Sequence, residues 1–426
     1  MQAKGNYRWV VVTLLFFATT INYLDRQVIG LLKDNLAKDF NWSERDYSNI
    51  VMAFSAAYAI GLVGFGRLID KIGTRFGYAI SVVIWSVAAM AHALAKSTFG
   101  FGIARTALGL GEAGNFPAAI KAVAEWFPKK DRALATGIFN SGSNVAAIVG
   151  PPAIAWLFTA YGWKQAFICT GSIGFLWLVF WLCLFDIPAR QKRLGKQEFD
   201  YIHSDLTETE ITTDNKVSWR KVLTIKQTWA FLLGKFLTDP IWWFYLFWIP
   251  SYFNTTYSLD IKTSAIHVST VYVAAGFGSI LGGYLSGWFI KKGWSIFKAR
   301  KTAMLIFAFC VTPVVMVRFT SHIWVAVALI SVAAAAHQAW SANIFTVASD
   351  VFPKKAVSSV VGIGGMAGSI GGILFPLLIG VLLDHFKSMN ILSTGYNIIF
   401  VICGTAYLVA WAVMHFLSPR MEQVHL

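Results

Sequence analysis

"FPKKDRALATGI" (residues 127–138) returns as "FPKKAVSSVVGI" (residues 352–363), 225 positions later, with six of twelve residues identical. Pro151 meets Pro376 at the same offset. Each copy is a short basic loop between long apolar runs, and each joins a fourth such run to a fifth within its half of the chain. Position, sequence and run count agree, so the chain reads as a duplication whose unit is a set of six apolar segments.

Composition says what those segments are. The chain has 426 residues, of which 56% are hydrophobic and only 13% charged, about half the charged share of a soluble domain. Mean hydropathy is +0.58. There is too little polar surface to cover a water-soluble globule of this size, which indicates an integral membrane protein. Twelve stretches are long enough to span a bilayer: roughly 9–32, 47–69, 76–95, 98–122, 133–158, 164–186, 228–256, 265–290, 302–319, 323–348, 357–383 and 395–417. The expected fold is all-α, with twelve transmembrane helices in two pseudosymmetric six-helix bundles, residues 1–186 and 228–426. A cytoplasmic linker, 187–227, joins them. With both termini inside, the inner segments hold 24 of the 36 Lys and Arg residues and the outer loops 8, and four lie within spans. The positive-inside rule then puts both termini in the cytoplasm. Lys4 and Arg8 precede the first run as in a signal peptide, but the charged stretch after it fits a retained helix better.

Several function classes lose their support. The +15 net charge is scattered between apolar runs, which argues against a nucleic-acid partner. The four cysteines lie in apolar segments without short spacing and read as core residues. No phosphate-cradling glycine loop, nucleophile elbow or pair of metal-site histidines is present, so neither an enzyme, a cofactor nor an ATP-driven pump is expected. A parallel duplication in the membrane fits a transporter, whose substrate site lies between the halves near mid-membrane. Small residues at spacing four (Gly364, Gly368 and Gly372; Ala274, Gly278, Gly282 and Ser286) predict closely packed helices.

Charges inside the spans carry the functional signal. In "INYLDRQVIG" (21–30), Asp25 and Arg26 interrupt the first span, at about 2.5–3.5 kcal/mol each for a central position. As neighbours they point about 100° apart, so each must meet a group on another helix or a ligand. In the fourth span Arg105 and Glu112 are two turns apart on one face, with Gly109 between them. This predicts two bases and two acids facing one cavity, or alternatively buried ion pairs locking the first span to the fourth. A guanidinium is a fixed, forked trap for a carboxylate. Acids can change charge, and burial disfavours their ionised form. A carboxyl whose proton is coupled to substrate occupancy is the minimum for proton symport. Asn115 and Asn144, the latter near Ser141 and Ser143, could bond hydroxyls. Lys235 and Asp239 could contact a ligand or form an i, i+4 ion pair. Trp242, Trp243 and Trp248 could stack on a sugar or form an aromatic belt. His337 and Gln338 occupy the positions equivalent to Glu112 and Ala113 by the 225 offset, and Asn343 lies near them. Each is a cavity candidate or a satisfied core residue.

"GRLIDKIGTR" (66–75) resembles the loop signature of the major facilitator superfamily, and "GYLSGWFIKKG" (283–293) is its counterpart, with Gly287 where Asp70 stands. "NYLDR", "ARTALGLGEAGNFPA" (104–118) and "EWFPKKDRALATGIFNSGSN" (125–144) resemble the anion:cation symporter branch. "KFLTDPIWWFYLFWIPSYF" (235–253) and "AHQAWSANIFTVASDVF" (336–352) are most similar to bacterial hexuronate transporters. The resemblance implies a proton-coupled symporter that takes a sugar-acid anion such as glucuronate or galacturonate into the bacterial cytoplasm by alternating access. It implies that Arg26 and Arg105 hold the anion, Asp25 and Glu112 serve the proton, and Tyr58 faces the sugar. Asp70, with Lys71 and Arg75, is expected to act as a gate at a cytoplasmic helix end. The expected partners are a sugar acid, protons and the lipid bilayer, with the protein a monomer in the inner membrane. Galactonate or glucarate as substrate, or a non-transporting sensor of the same fold, are the alternatives.

Overall fold

The computed structural model describes residues 5–204, 219–258, 261–420 and 422–424. Residues 205–218 of the expected linker lie outside the described residues. The first half contains α1 (Tyr7–Leu31), a short charged helix α2 (Lys33–Phe40), α3 (Glu44–Ile72), α4 (Thr74–Ala91), α5 (Thr98–Glu112), α6 (Asn115–Trp126), α7 (Lys129–Tyr161) and α8 (Trp163–Leu184). The connection carries α9 (Lys196–Ile202) and α10 (Trp219–Leu223). The second half contains α11 (Lys226–Phe247), α12 (Ile249–Tyr257), α13 (Ile261–Lys291), α14 (Ile296–Val311), α15 (Ile323–Val351), α16 (Val357–Ser388) and α17 (Leu392–Leu417).

Among the described residues, ten of the expected spans are helical segments long and apolar enough to cross a membrane. The fourth and seventh are broken. α5 gives way to α6 at Ala113 and Gly114, and α11 to α12 at Trp248. A proline follows each break, Pro117 and Pro250. Lacking an N–H, each leaves the carbonyl four residues back without its helical partner. The first break puts Glu112 at the end of one helix and Asn115 at the start of the next, where polar side chains meet an irregular backbone. Gly73 (φ 87°) and Gly293 (φ 89°) turn the chain in the two pseudosymmetric loops 66–75 and 283–293, in a region where a side chain would be strained. Large apolar side chains such as Phe17, Ile60, Phe99, Val381 and Phe416 are exposed around the bundle, as a lipid-facing surface requires.

The two bundles touch through α3 against α16 and α7 against α13. Glycine makes these contacts close: a Cβ at Gly362 would collide with the Leu62 carbonyl, and one at Gly283 with the Ala133 carbonyl. The small-residue faces expected from spacing pack closely, inside the second bundle. Gly278 and Gly282 lie against Ala335 and Ala339 of α15, and Gly364, Gly368 and Gly372 against Phe231, Asp239 and Trp243 of α11.

Polar cross-links between the bundles cluster at the end that carries the N-terminus. The Ser359 N–H donates to Asp70 Oδ2 (2.7 Å), and the Ser358 hydroxyl to the Pro117 carbonyl (3.0 Å). Arg132 pairs with Asp350 across the interface (3.2 Å). Arg300 pairs with the other oxygen of Asp350 (3.1 Å) and donates to the Lys129 carbonyl (2.6 Å). The connecting segment joins this end too. Glu198 of α9 accepts from the Tyr7 and Arg8 N–H groups (3.0 and 3.1 Å), which caps α1, and pairs with the Arg8 side chain at 3.0 Å. A carboxylate there meets the positive end of the helix dipole.

Candidate functional site

A cavity of about 690 Å³, part of it open to solvent, lies between the bundles. α1 and α3 supply Tyr23, Arg26 and Tyr58, α7 supplies Asn140 and Ser143, and α11 supplies Lys235, Asp239, Trp242 and Trp243. α15 adds His337, Gln338 and Ser341, and α16 leaves room with Gly365 and Gly368.

On the first bundle's wall, Arg26 is the charged centre. Its Nε and one Nη lie 2.9 Å from Glu112 Oε2. The guanidinium lies over the rings of Tyr58, Tyr23 and Phe54, with the carbon 4.6, 4.8 and 5.0 Å from their centroids. These rings hold the cation with cation–π attraction and restrict its orientation. Arg105 stands one layer back. It donates to the Arg26 carbonyl at 2.8 Å and packs on Phe54 at 4.5 Å, while its Nε and other Nη have no hydrogen-bond partner. Glu112 is fully buried, and its Oε1 is unpartnered.

The expected picture of two bases and two acids facing one cavity is therefore corrected: of Asp25, Arg26, Arg105 and Glu112, only Arg26 lines the wall. Helix spacing put Arg105 and Glu112 on a common face, and both do reach toward Arg26, one to its backbone and one to its side chain. Both sit behind Arg26, and Phe54 packs on both guanidinium groups, 5.0 Å from that of Arg26 and 4.5 Å from that of Arg105. Asp25 is buried, and neither carboxylate oxygen has a hydrogen-bond partner. The Thr170 hydroxyl of α8 is turned to the Phe167 carbonyl, 3.4 Å away.

The second bundle's wall carries another ion pair. Lys235 Nζ lies 2.8 and 3.0 Å from the two oxygens of Asp239 and 3.8 Å from the Phe345 ring centroid. His337 stacks on Trp242 (5.1 Å, 9° between planes), and its Nδ1 shares a hydrogen bond with the Tyr407 hydroxyl. Gln338 accepts from Asn140 Nδ2 at 2.8 Å, a direct link between the bundles at the cavity edge, and Asn140 also donates to Ser279 (3.2 Å).

Other expected site residues are placed elsewhere. Asn115 is buried, bonded to the Tyr78 hydroxyl and 3.4 Å from Thr19 Oγ1. Asn343 bonds the Gly282 and Ala339 carbonyls, both at 2.9 Å. Asn144 lies behind the wall, 3.5 Å from Gln338 Nε2. For these three the structural alternative describes the contacts seen. Of the gating candidates, Asp70 bridges Lys121 (2.8 Å) and the start of α16. Arg75 pairs with Asp186 (2.8 Å) inside the first bundle, and Lys71 is exposed. Sequence reasoning missed Asn140, although it lies one turn before Asn144. It missed Tyr23 too, although that residue is one turn before Arg26.

The sequence profile of the Major Facilitator Superfamily matches residues 15–376. The chain is 33% identical over 420 residues to the hexuronate transporter of Escherichia coli (strain K12), covering 97% of this chain and 95% of that protein. It is 34% identical over 291 residues to the galacturonate transporter of Dickeya chrysanthemi, covering 68% and 84%. The structure of the proton:xylose symporter XylE bound to 6-bromo-6-deoxy-D-glucose shares the fold, with a TM-score of 0.75 at 16% identity over 97% of this chain and 96% of that one.

Proposed function

Because this chain belongs to the Major Facilitator Superfamily and is a multi-pass membrane transporter, we propose that it carries a hexuronate such as galacturonate or glucuronate inward together with a proton. The observation that supports this most is Arg26: a guanidinium in the wall of a cavity between the bundles, held by three aromatic rings, with its counter-ion Glu112 set behind it. Glu112 Oε2 takes two of the guanidinium nitrogens, and Arg has five N–H donors, so donors remain for a ligand.

The coupling follows from charge. A hexuronate carboxylate arriving at Arg26 competes with Glu112 for the fork. A buried carboxylate deprived of its counter-charge is costly, and a proton removes that cost. Substrate entry then favours protonation of Glu112, and proton loss restores the Arg26–Glu112 pair and expels the substrate. Asp25, buried with both oxygens unpartnered, is the second candidate carrier. Arg105 props the Arg26 backbone from behind. The ring of the sugar lies against Trp242, Trp243 or Tyr58, and its hydroxyls reach Asn140, Gln338 and His337 in the cavity edge. With both termini in the cytoplasm, the links at Asp70, Arg132 and Arg300 close the cytoplasmic end. Alternating access then requires them to part.

Thermal-shift screening of the purified protein with glucuronate, galacturonate, galactonate, glucarate and citrate tests the substrate class. A ligand at 100 times its Kd stabilises by about 2.7 kcal/mol. The hexuronates are expected to raise Tm and citrate not to. Stabilisation by citrate alone would contradict the reading.

A further inference from the structure

The cavity has two cations, one on each wall, and they are not equivalent. Arg26 is paired through one oxygen of a carboxylate that stands outside the cavity. Lys235 is paired with both oxygens of a carboxylate that is itself in the wall. The ammonium is enclosed: two of its directions go to Asp239, and the Phe345 ring closes a third at 3.8 Å. An ammonium has three N–H donors, so a ligand finds none free. Asp239 has the greater access to the cavity, its side chain 23% exposed against 3% for Lys235. α16 is shaped to admit it, since a Cβ at Gly368 would collide with the Asp239 carboxylate. The second bundle thus turns a carboxylate rather than a cation toward the space opposite Arg26.

We infer that Asp239 makes this a monocarboxylate site: by saturating Lys235 and facing the cavity, it rejects sugar acids that carry a carboxylate at both ends. The inference rests on the sugar-acid reading and deepens it. A six-carbon dicarboxylate held at Arg26 by one end directs its other toward α11. There it meets a like charge and no available donor. The same position suits a hydroxyl, the anomeric hydroxyl of a cyclic hexuronate included, because the Asp239 carboxylate accepts a hydrogen bond from a neutral O–H group. Removing the charge of Asp239 while keeping its size would release Lys235, and Lys235 would then receive the second carboxylate.

Galactonate and galactarate separate the effect cleanly. Both are open-chain acids of one configuration, and they differ only in a terminal CH₂OH against a carboxylate. Competition against labelled galacturonate on the full-length protein gives the ratio of their affinities. In the wild type, galactonate is expected to compete at least about tenfold better than galactarate. In Asp239→Asn the ratio should fall by at least about tenfold through a gain for galactarate, and Lys235→Met added to that variant should remove the gain. Equal competition by the two acids in the wild type overturns the inference, as does an Asp239→Asn protein whose ratio is unchanged. The wild-type ratio decides alone if the variant does not fold. If the wild type binds labelled galacturonate yet treats galactarate as it treats galactonate, the role of Asp239 fails and the sugar-acid reading stands. If it binds none of the three acids, the sugar-acid reading itself fails.

Discussion

Replacing Arg26 by Lys keeps a positive charge in the cavity and removes the fork. The lost geometry can be read directly. Two guanidinium nitrogens sit 2.9 Å from Glu112 Oε2, and the planar group lies 4.6–5.0 Å from three ring centroids. An ammonium offers neither the parallel donors nor the flat face. A charge-assisted two-point contact to the substrate carboxylate is worth roughly 1.5–3 kcal/mol, so affinity for galacturonate should fall about 10- to 150-fold. Arg105→Lys is the internal comparison. Arg105 touches the Arg26 carbonyl (2.8 Å) and Phe54 but not the cavity. Its loss acts indirectly, through one hydrogen bond of about 0.5–1.5 kcal/mol, or about 2- to 10-fold. Calorimetric titration of both variants with galacturonate, and with galactose as the neutral counterpart, makes the test. Galactose is expected to show no binding. If Arg26→Lys binds galacturonate like the wild type, or if Arg105→Lys costs more than Arg26→Lys, the layering of the two arginines does not govern anion recognition.

Glu112→Gln keeps a hydrogen-bond acceptor for Arg26 but cannot titrate. Counterflow exchange in vesicles should survive while concentrative uptake is lost, and normal accumulation would move the proton elsewhere, with Asp25 next. Gly362→Val places a side chain against the Leu62 carbonyl, where none fits. Transport should fall by at least about tenfold with galacturonate binding largely kept, and wild-type turnover would show that this helix contact is not needed. Arg300→Ala strands Asp350 in a fully buried site beside Arg132 alone. A broken buried pair costs about 3–5 kcal/mol, so Tm should drop clearly, and an unchanged Tm would mean that Arg132 suffices.

How much of this was legible in the sequence depends on the physics behind each feature. The duplicated basic loop and the twelve apolar runs gave the architecture, because spanning a bilayer leaves little freedom in segment length. The intramembrane charges pointed to α1 and α5, which meet through Arg26 and Glu112, because a charge in a span calls for a partner on another helix. Depth within the site was not legible. Periodicity says which face of α5 bears Arg105 and Glu112, but not that Arg26 stands between that face and the cavity. The small-residue stripes were real but were assigned to no partner. Those at Gly278 and Gly364 pack inside a bundle, and neighbours one face round, such as Gly283 and Gly362, make the contact between bundles. A spacing rule identifies a small face, whereas its partner is set by the whole packing. Asn140 escaped because Asn144, one turn on, carried the same signal.

The central claim joins an anion to a proton, and one flux experiment tests both. Purified protein in sealed vesicles is given labelled galacturonate with an acidic exterior, with and without a proton uncoupler, and separately with an inward sodium gradient at equal pH. The expected result is accumulation under the pH gradient, abolished by the uncoupler, and no accumulation under sodium alone. Accumulation driven by sodium and indifferent to the uncoupler would contradict the account, as would vesicles that bind galacturonate and never concentrate it.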